Sequence, residues 1–145
     1  GDGDSDLVSG DTSGSFLYFE NTGSANAPAF VLRTGVANPF AGLPVAPFSA
    51  PGLGDLDGDG DLDFVSGNNA GLFTFGENTG TAARPAFLVR AGTANPLEGQ
   101  DVGDLSDPEF ADLDGDGDLD LVSGERTGRF LYYENLSGRF VARSG

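Results

Sequence analysis

The sequence predicts an all-β fold in which one unit occurs three times. Asp-Leu-Val-Ser-Gly at 6–10 returns at 120–124, and Asp-Phe-Val-Ser-Gly stands midway between them at 63–67, so the copies follow one another at a constant spacing. Each copy contains short segments rich in Val, Phe and Tyr that end at Gly, Asn or Pro, which is typical of strands and turns. No stretch has the periodicity of an amphipathic helix.

Four short strands are expected in each complete unit, separated by turns that contain Gly and Asn. The clearest is 119–123, which is apolar on both sides of the pleat and is therefore expected to be buried on both faces. Aromatic residues dominate the strand that follows it. The expected strands are 51–56 and 108–113 (first), 119–123 (second), 129–134 (third), and 28–33 and 85–90 (fourth).

Four antiparallel strands that recur with a period of roughly 40–60 residues are typical of β-propeller blades. The chain is therefore predicted to hold about 2.75 such blades with a 57-residue repeat. Residues 1–50 are expected to form a first blade that lacks its first strand, with the connection that follows it. Residues 51–107 form a second blade and its connection, and residues 108–145 form a third. Because so few blades cannot close a ring, the set is open or is completed by other chains or segments.

Aspartates at alternate positions follow the first strand of the second and third units. The run Asp-Leu-Asp-Gly-Asp-Gly-Asp-Leu-Asp occupies 55–63 and again 112–120. Hard cations such as Ca²⁺ take six to eight oxygen ligands from carboxylates, backbone carbonyls and water, as such a loop can offer. The expected ligands are Asp55, Asp57, Asp59 and Asp63 with the main-chain oxygen of Asp61, and Asp112, Asp114, Asp116 and Asp120 with that of Asp118.

Repulsion among these carboxylates favours a bound cation over a merely solvated turn. Two carboxylates about 4 Å apart repel by about 1 kcal/mol in water and about 4 kcal/mol at an effective dielectric constant near 20. A turn needs only one or two Asp to hydrogen-bond its own backbone. We therefore predict two complete Ca²⁺ sites. In the first unit Asp2, Asp4 and Asp6 match the fifth, seventh and ninth loop positions, which makes a third, incomplete site.

Composition excludes several classes of function. The chain has 23 acidic residues against 7 Arg and a net charge of -16, so a basic groove for nucleic acid is not expected. His, Cys and Lys are absent, which excludes Ser-His-Asp and Cys-His nucleophiles, the usual zinc sites, disulfides and Schiff bases. No apolar run approaches the length of about 18 residues that a membrane span needs. We predict no catalytic residue, and thus no enzyme.

A glutamate recurs after the aromatic strand of every unit, at positions 20, 77 and 134. Paired carboxylates can hydrolyse glycosidic bonds. Because the same Glu occurs in all three copies, we interpret it as part of the blade structure. The aromatic residues of the third strands are interpreted in the same way, as packing between blades.

The Asp loop followed by an apolar strand resembles the FG-GAP/VCBS repeat family, the calcium-binding blades of integrin-α-type β-propellers. The family pattern Asp-x-Asp-x-Asp-Gly-x-x-Asp is met in full at 55–63 and 112–120. A helix-flanked calcium hand would need Glu at the twelfth position, where this chain has Ser66 and Ser123. The resemblance implies Ca²⁺ as cofactor and an extracellular location, either secreted or on the cell surface.

The function that follows is a non-catalytic, extracellular, calcium-binding propeller repeat protein for adhesion, recognition or assembly. Its expected partner is another copy of itself or the remainder of a longer propeller chain, with glycans or surface proteins as further partners. Three alternatives stay open. They are a structural subunit that builds a filament or closed oligomer by blade-edge pairing, a carbohydrate-binding lectin, and part of a propeller polysaccharide lyase or hydrolase.

Overall fold

Eleven strands form three antiparallel sheets in the computed structural model, which describes residues 3–143. Each sheet takes its strands in chain order, so neighbours along the chain are also neighbours in space. The strands are β1 (Leu7–Gly10), β2 (Phe16–Asn21) and β3 (Phe30–Arg33) in the first sheet, β4 (Ala50–Gly54), β5 (Asp63–Gly67), β6 (Thr74–Asn78) and β7 (Phe87–Arg90) in the second, and β8 (Asp107–Ala111), β9 (Asp120–Gly124), β10 (Phe130–Asn135) and β11 (Phe140–Arg143) in the third.

The all-β fold and its propeller-like blades are confirmed. We call the three sheets blade 1, blade 2 and blade 3 in chain order. Blade 1 has three strands among the described residues, and β1 occupies the place that the second strands β5 and β9 hold in the other two. Helix is limited, in residues 3–143, to the 3-10 turns Gly35–Ala37 and Gly92–Ala94. Neither of these approaches the length or hydropathy that a membrane-spanning helix requires.

The first strands end earlier than the sequence predicts, and the Asp loops are the reason. β4 stops at Gly54 rather than at Leu56. Leu56 instead donates its backbone N–H to the carboxylate of Asp63, at 3.2 Å, and Asp55 accepts hydrogen bonds from the loop that follows. These two residues, Asp55 and Leu56, therefore leave the β ladder and begin the loop.

Each blade packs face to face on the next, and the core consists of two seams. In the seam between blades 1 and 2, Phe16 lies edge-on to Phe64 with ring centroids 5.3 Å apart. Phe40, from the connection between these blades, inserts here and stacks on Phe87 at 4.6 Å. Phe73 occupies the place of Phe16 in the seam between blades 2 and 3. The aromatic residues therefore hold neighbouring blades together.

A buried serine before the first strand of each complete blade ties that blade to the preceding one. Ser106 accepts a hydrogen bond from the backbone of Asn68 at 2.8 Å and donates one to the carbonyl of Leu72 at 2.9 Å. Ser49, its equivalent one repeat earlier, accepts from Asp11 and donates to Ser15 in the same way. Both serines reach the turn between the second and third strands of the preceding blade, so blade order is fixed by polar contacts as well as by packing.

Candidate metal centre

The aspartate loop of blade 2 curls around its own backbone N–H groups. Asp55 accepts hydrogen bonds from Gly58 at 2.9 Å and from Gly60 at 3.0 Å, one on each carboxylate oxygen. Asp57 accepts from Asp59, and Asp59 accepts from Asp61, at 3.2 and 3.0 Å. Gly58 and Gly60 have φ of 80° and 94°, which residues with a side chain rarely adopt. The two glycines therefore allow the chain to turn back so that alternate Asp side chains meet.

This curl brings three carboxylates together in each of the two complete loops. One oxygen from each of Asp55, Asp57 and Asp59 lies within 4.8 Å of the other two, and Asp112, Asp114 and Asp116 meet in the same way. Ca²⁺–oxygen distances are about 2.3–2.6 Å, so ligands of one ion lie no more than about 5 Å apart. Both groups therefore fit the coordination shell of a single Ca²⁺.

The Asp at the ninth loop position makes hydrogen bonds that the sequence did not predict. Asp63 is buried and accepts backbone N–H groups from Leu56 and from Asn78, the latter at 2.8 Å. Asp120 accepts equivalent bonds from Leu113 and Asn135. Within the described part of the chain, neither aspartate belongs to the three-carboxylate groups. The ninth Asp thus joins the Asp loop to the end of the third strand, whether or not it also contacts a cation.

Burial raises the pKa of two aspartates in the blade 2 loop. Desolvation raises the pKa of Asp63 to about 6, against the opposing effect of the Asn78 and Leu56 N–H groups. Burial followed by the charge of Asp59 also raises the pKa of Asp61. Tyr132 is desolvated and donates its hydroxyl to Asp120, which raises the tyrosine pKa to about 12. A bound cation is the kind of charge that would offset this repulsion.

The Asp side chain at the seventh loop position makes different contacts in blade 2 and in blade 3. The Asp61 side chain is buried and hydrogen-bonds to the Asn78 side chain, while its Oδ1 has no hydrogen-bond partner among residues 3–143. Asp118 accepts the backbone N–H of Ser137 at 3.2 Å instead. These side chains lie outside the three-carboxylate groups of the described residues, and only their main-chain oxygens were predicted as ligands.

In blade 1, Asp6 has the contacts of a ninth-position Asp. It accepts the backbone N–H of Asn21 at 2.8 Å and the hydroxyl of Tyr18 at 2.7 Å, as Asp120 does from Asn135 and Tyr132. Asp4 lies beside it in the loop, and Asp2 falls outside the described residues. Within residues 3–143, no group of three close carboxylates includes Asp4 or Asp6. The third site therefore stays a prediction.

The arginines that the structure places in ion pairs are paired with acids outside the Asp loops. The recurring glutamates each bind an arginine on the adjacent outer strand, and two further pairs lie at the turn between β9 and β10. In residues 3–143 these ion pairs are Glu20–Arg33, Glu77–Arg90, Glu134–Arg143, Glu125–Arg129 and Asp104–Arg126. The pairing agrees with a structural role for the recurring Glu. It also leaves the Asp loops without an arginine counter-ion among these pairs.

A groove of about 600 Å³ opens beside the Asp loop of blade 2. Its walls include Asp55 and Asp57 on one side and Ser137 and Gly138 of blade 3 on the other. A second groove, of about 440 Å³, lies at the corresponding place between blades 1 and 2 and includes Asp61. The Asp loops therefore line the grooves between neighbouring blades on one rim of the fold.

Comparison with known proteins gave one informative match. The family described as FG-GAP-like repeat matches residues 55–123, from the first Asp of the loop in blade 2 into strand β9. Searches of curated proteins and of solved structures gave no significant match. The matched segment contains both three-carboxylate groups and connects two successive propeller-like blades. Over residues 55–123 the chain is thus similar to FG-GAP-like repeats.

Proposed function

We propose that this propeller-type repeat protein is extracellular, binds Ca²⁺ in its two complete Asp loops, and has a non-catalytic role in adhesion, recognition or assembly. The observation that carries the proposal is the pair of three-carboxylate groups, each within 4.8 Å. The match to the FG-GAP-like repeat family over the same residues supports calcium as the ion and an outer location.

The arrangement favours Ca²⁺ over Mg²⁺. Mg²⁺ requires near-ideal octahedral geometry at about 2.0–2.1 Å and gives up its water reluctantly, whereas Ca²⁺ accepts six to eight oxygens at longer distances. Three carboxylates converge in each loop, more than the one or two by which Mg²⁺ is usually bound. The expected ligand set also mixes carboxylates with a main-chain oxygen, as Ca²⁺ sites commonly do.

Calcium would act as a clamp within blade 2 and within blade 3. The loop of blade 2 connects β4 to β5, and its ninth residue Asp63 is already fixed to Asn78 at the end of β6. An ion held by Asp55, Asp57 and Asp59 would therefore link three strands. Extracellular modules bind Ca²⁺ with Kd of about 10⁻⁴ to 10⁻³ M. At about ten times Kd, one such site adds about 1.4 kcal/mol to the free energy of unfolding.

Calorimetric titration tests the proposal with variants of each loop. Asp55→Asn and Asp112→Asn should each remove one of two Ca²⁺ equivalents, and the double variant should bind none. Asp107→Asn is a matched control, because Asp107 is exposed and lies outside the loops. Mg²⁺ at the same concentration should bind at least about tenfold more weakly. Failure of the unaltered chain to bind Ca²⁺ would contradict the proposal.

A further inference from the structure

A buried carboxylate in the groove between blades 1 and 2 lacks a hydrogen-bond donor for one of its oxygens. Asp61 is only 8 % exposed, and its side chain hydrogen-bonds to Asn78. Its Oδ1 is buried and has no hydrogen-bond partner among residues 3–143. A buried carboxylate oxygen without a donor is costly, and native proteins rarely leave one unpaired. The groove that Asp61 lines is therefore the place where an external donor is expected to bind.

The length of a hairpin explains why Asp61 lacks this donor. In blade 3 the equivalent carboxylate, Asp118, accepts the backbone N–H of Ser137 in the turn between β10 and β11. The turn between β6 and β7 has eight residues, 79–86, instead of the four at 136–139. The short turn brings a backbone donor to the seventh loop position, and the long turn leaves that position open in blade 2.

The groove beside Asp61 is a feature of the seam between neighbouring blades. It has a volume of about 440 Å³ and opens on the rim where the Asp loops lie. The groove at the corresponding place between blades 2 and 3 is also open, although each of those two blades has all four strands. A complete set of strands on both sides therefore does not close a groove of this kind.

Aromatic rings and negative charge occur together along the walls of this groove. Tyr18 and Phe87 are half-buried there, and Phe87 is held by stacking on Phe40 at 4.6 Å. The acidic side chains of the walls are Asp4, Asp6 and Asp61. Within residues 3–143 no arginine belongs to these walls, and Arg84, on the neighbouring hairpin, is exposed. The complementary ligand is therefore a cation with an apolar body.

Calcium in the Asp loop would not remove this preference for a cation. The loop 55–63 has five Asp, so one bound Ca²⁺ leaves it with a charge of -3. Among organic cations, a guanidinium group matches both parts of the wall. It is planar and stacks on aromatic rings, and it donates several N–H groups to a carboxylate. An ammonium group offers a point charge without a flat face.

We propose that this groove binds an arginine side chain of a partner polypeptide, with the guanidinium group paired to Asp61 and its plane against Tyr18 and Phe87. The aliphatic stem of the arginine would cover the apolar part of the walls. This inference deepens the recognition role proposed above and rests on it. The partner is a polypeptide that presents an exposed arginine to the rim of the Ca²⁺-loaded fold.

NMR titration of the Ca²⁺-saturated chain with N-acetyl-arginine amide tests this site. The backbone amide signals around Asp61 and Phe87 should shift and saturate with a Kd of about 1 mM, as expected for a ligand of this size. N-acetyl-citrulline amide has nearly the same shape without the charge, and it should bind at least about tenfold more weakly. N-acetyl-lysine amide should also bind more weakly, because it cannot stack.

Variants locate the binding within the groove. Asp61→Asn should weaken the binding of N-acetyl-arginine amide at least about tenfold, and Phe87→Leu should weaken it about two- to fivefold. Asp118→Asn is the matched control, because it changes the same loop position in blade 3, where the carboxylate already has a donor. Its Kd for N-acetyl-arginine amide should equal that of the unaltered chain.

Absence of saturable shifts overturns the proposal, and so does equal affinity for the arginine and citrulline or lysine amides. An unchanged Kd in Asp61→Asn overturns it as well. Ca²⁺ titration of the same samples shows whether each variant is folded and loaded with two ions. A chain that binds two Ca²⁺ but no arginine amide would leave the calcium sites of the proposed function standing and remove only this inference.

Discussion

Gly67→Ala should destabilise the fold strongly, because the seam between blades 2 and 3 has no room for a methyl group. A Cβ at this position would lie 2.0 Å from the carbonyl oxygen of Ser106, whereas ordinary contacts begin near 3.4 Å. The obstacle is backbone and cannot rotate away. The equivalent residue in blade 3, Gly124, has its nearest neighbouring atom 3.9 Å from the built Cβ, so Gly124→Ala is a control at the same place in the repeat.

The loss of stability expected for Gly67→Ala follows from the movement of the blades that the added methyl group would require. The built Cβ lies 2.0 Å from the Ser106 carbonyl oxygen, and an ordinary contact needs about 3.4 Å. The two blades would therefore have to move apart by more than 1 Å. Such a shift would break the hydrogen bonds of Ser106 to Asn68 and Leu72, worth about 1 kcal/mol each. Overpacking adds about 1–3 kcal/mol. We therefore expect a loss of about 3–5 kcal/mol for Gly67→Ala.

Thermal unfolding followed by circular dichroism in excess Ca²⁺ measures this difference. For a chain of this length about 3 °C of Tm accompanies each kcal/mol, so Gly67→Ala should melt about 9–15 °C lower than the unaltered chain. Gly124→Ala should melt within a few degrees of it, since replacing an unstrained Gly reduces the entropy of the unfolded chain. Equal melting temperatures for the two variants would refute the packing of blade 3 on blade 2.

Three further variants test other parts of the structure. Phe64→Ala should lower the free energy of unfolding by about 3–5 kcal/mol in urea denaturation, because the ring is fully buried in the first seam. Glu125→Gln tests a carboxylate whose pKa is lowered from 4.5 to about 2, first by hydrogen bonds from Thr127. The ionised Glu125 stabilises the fold fully above pH 4.5, and this contribution is lost as the pH falls towards 2. The difference in free energy of unfolding between the unaltered chain and Glu125→Gln should therefore be largest near neutral pH and disappear below pH 2. Glu77→Gln should change the free energy of unfolding by at most about 1 kcal/mol in the same urea denaturation, because both Glu77 and its partner Arg90 are partly exposed.

The fold could be predicted from the sequence because the repeat is visible without any structural knowledge. Agreement among copies at a constant spacing identifies the unit, and alternating apolar residues with turn residues identify its strands. The predicted ends of the first strands, Leu56 and Leu113, were each wrong by two residues, because hydrogen bonds to Asp63 and Asp120 override strand propensity there. The insertion of Phe40 into a seam was not predicted, because residues of a connection carry no periodicity.

The candidate site was predictable where it depends on local spacing. Alternate Asp with intervening Gly indicates converging carboxylates, and the groups at 55–59 and 112–116 do converge. The structural role of the ninth Asp depends on backbone N–H groups fifteen residues away, which spacing within the loop does not reveal. A signal was present in the recurrence of Asn21, Asn78 and Asn135 at the repeat period, since these residues donate those N–H groups.

The exposure of Phe130 could not be predicted from the neighbouring sequence either. Its sequence context matches that of Phe16 and Phe73, and all three were interpreted as packing between blades. Whether such a residue is buried depends on the presence of a following blade. The same chemistry therefore gives a core residue at two positions and an exposed surface at the third.

The claim that Ca²⁺ clamps the Asp loops is tested most directly by one pair of thermal melts, in EDTA and in Ca²⁺ at about ten times the measured Kd. Two sites together should add about 3 kcal/mol to the free energy of unfolding and raise the Tm by about 8 °C. Asp55→Asn combined with Asp112→Asn should abolish this rise. An identical Tm of the unaltered chain in EDTA and in Ca²⁺ would contradict the account.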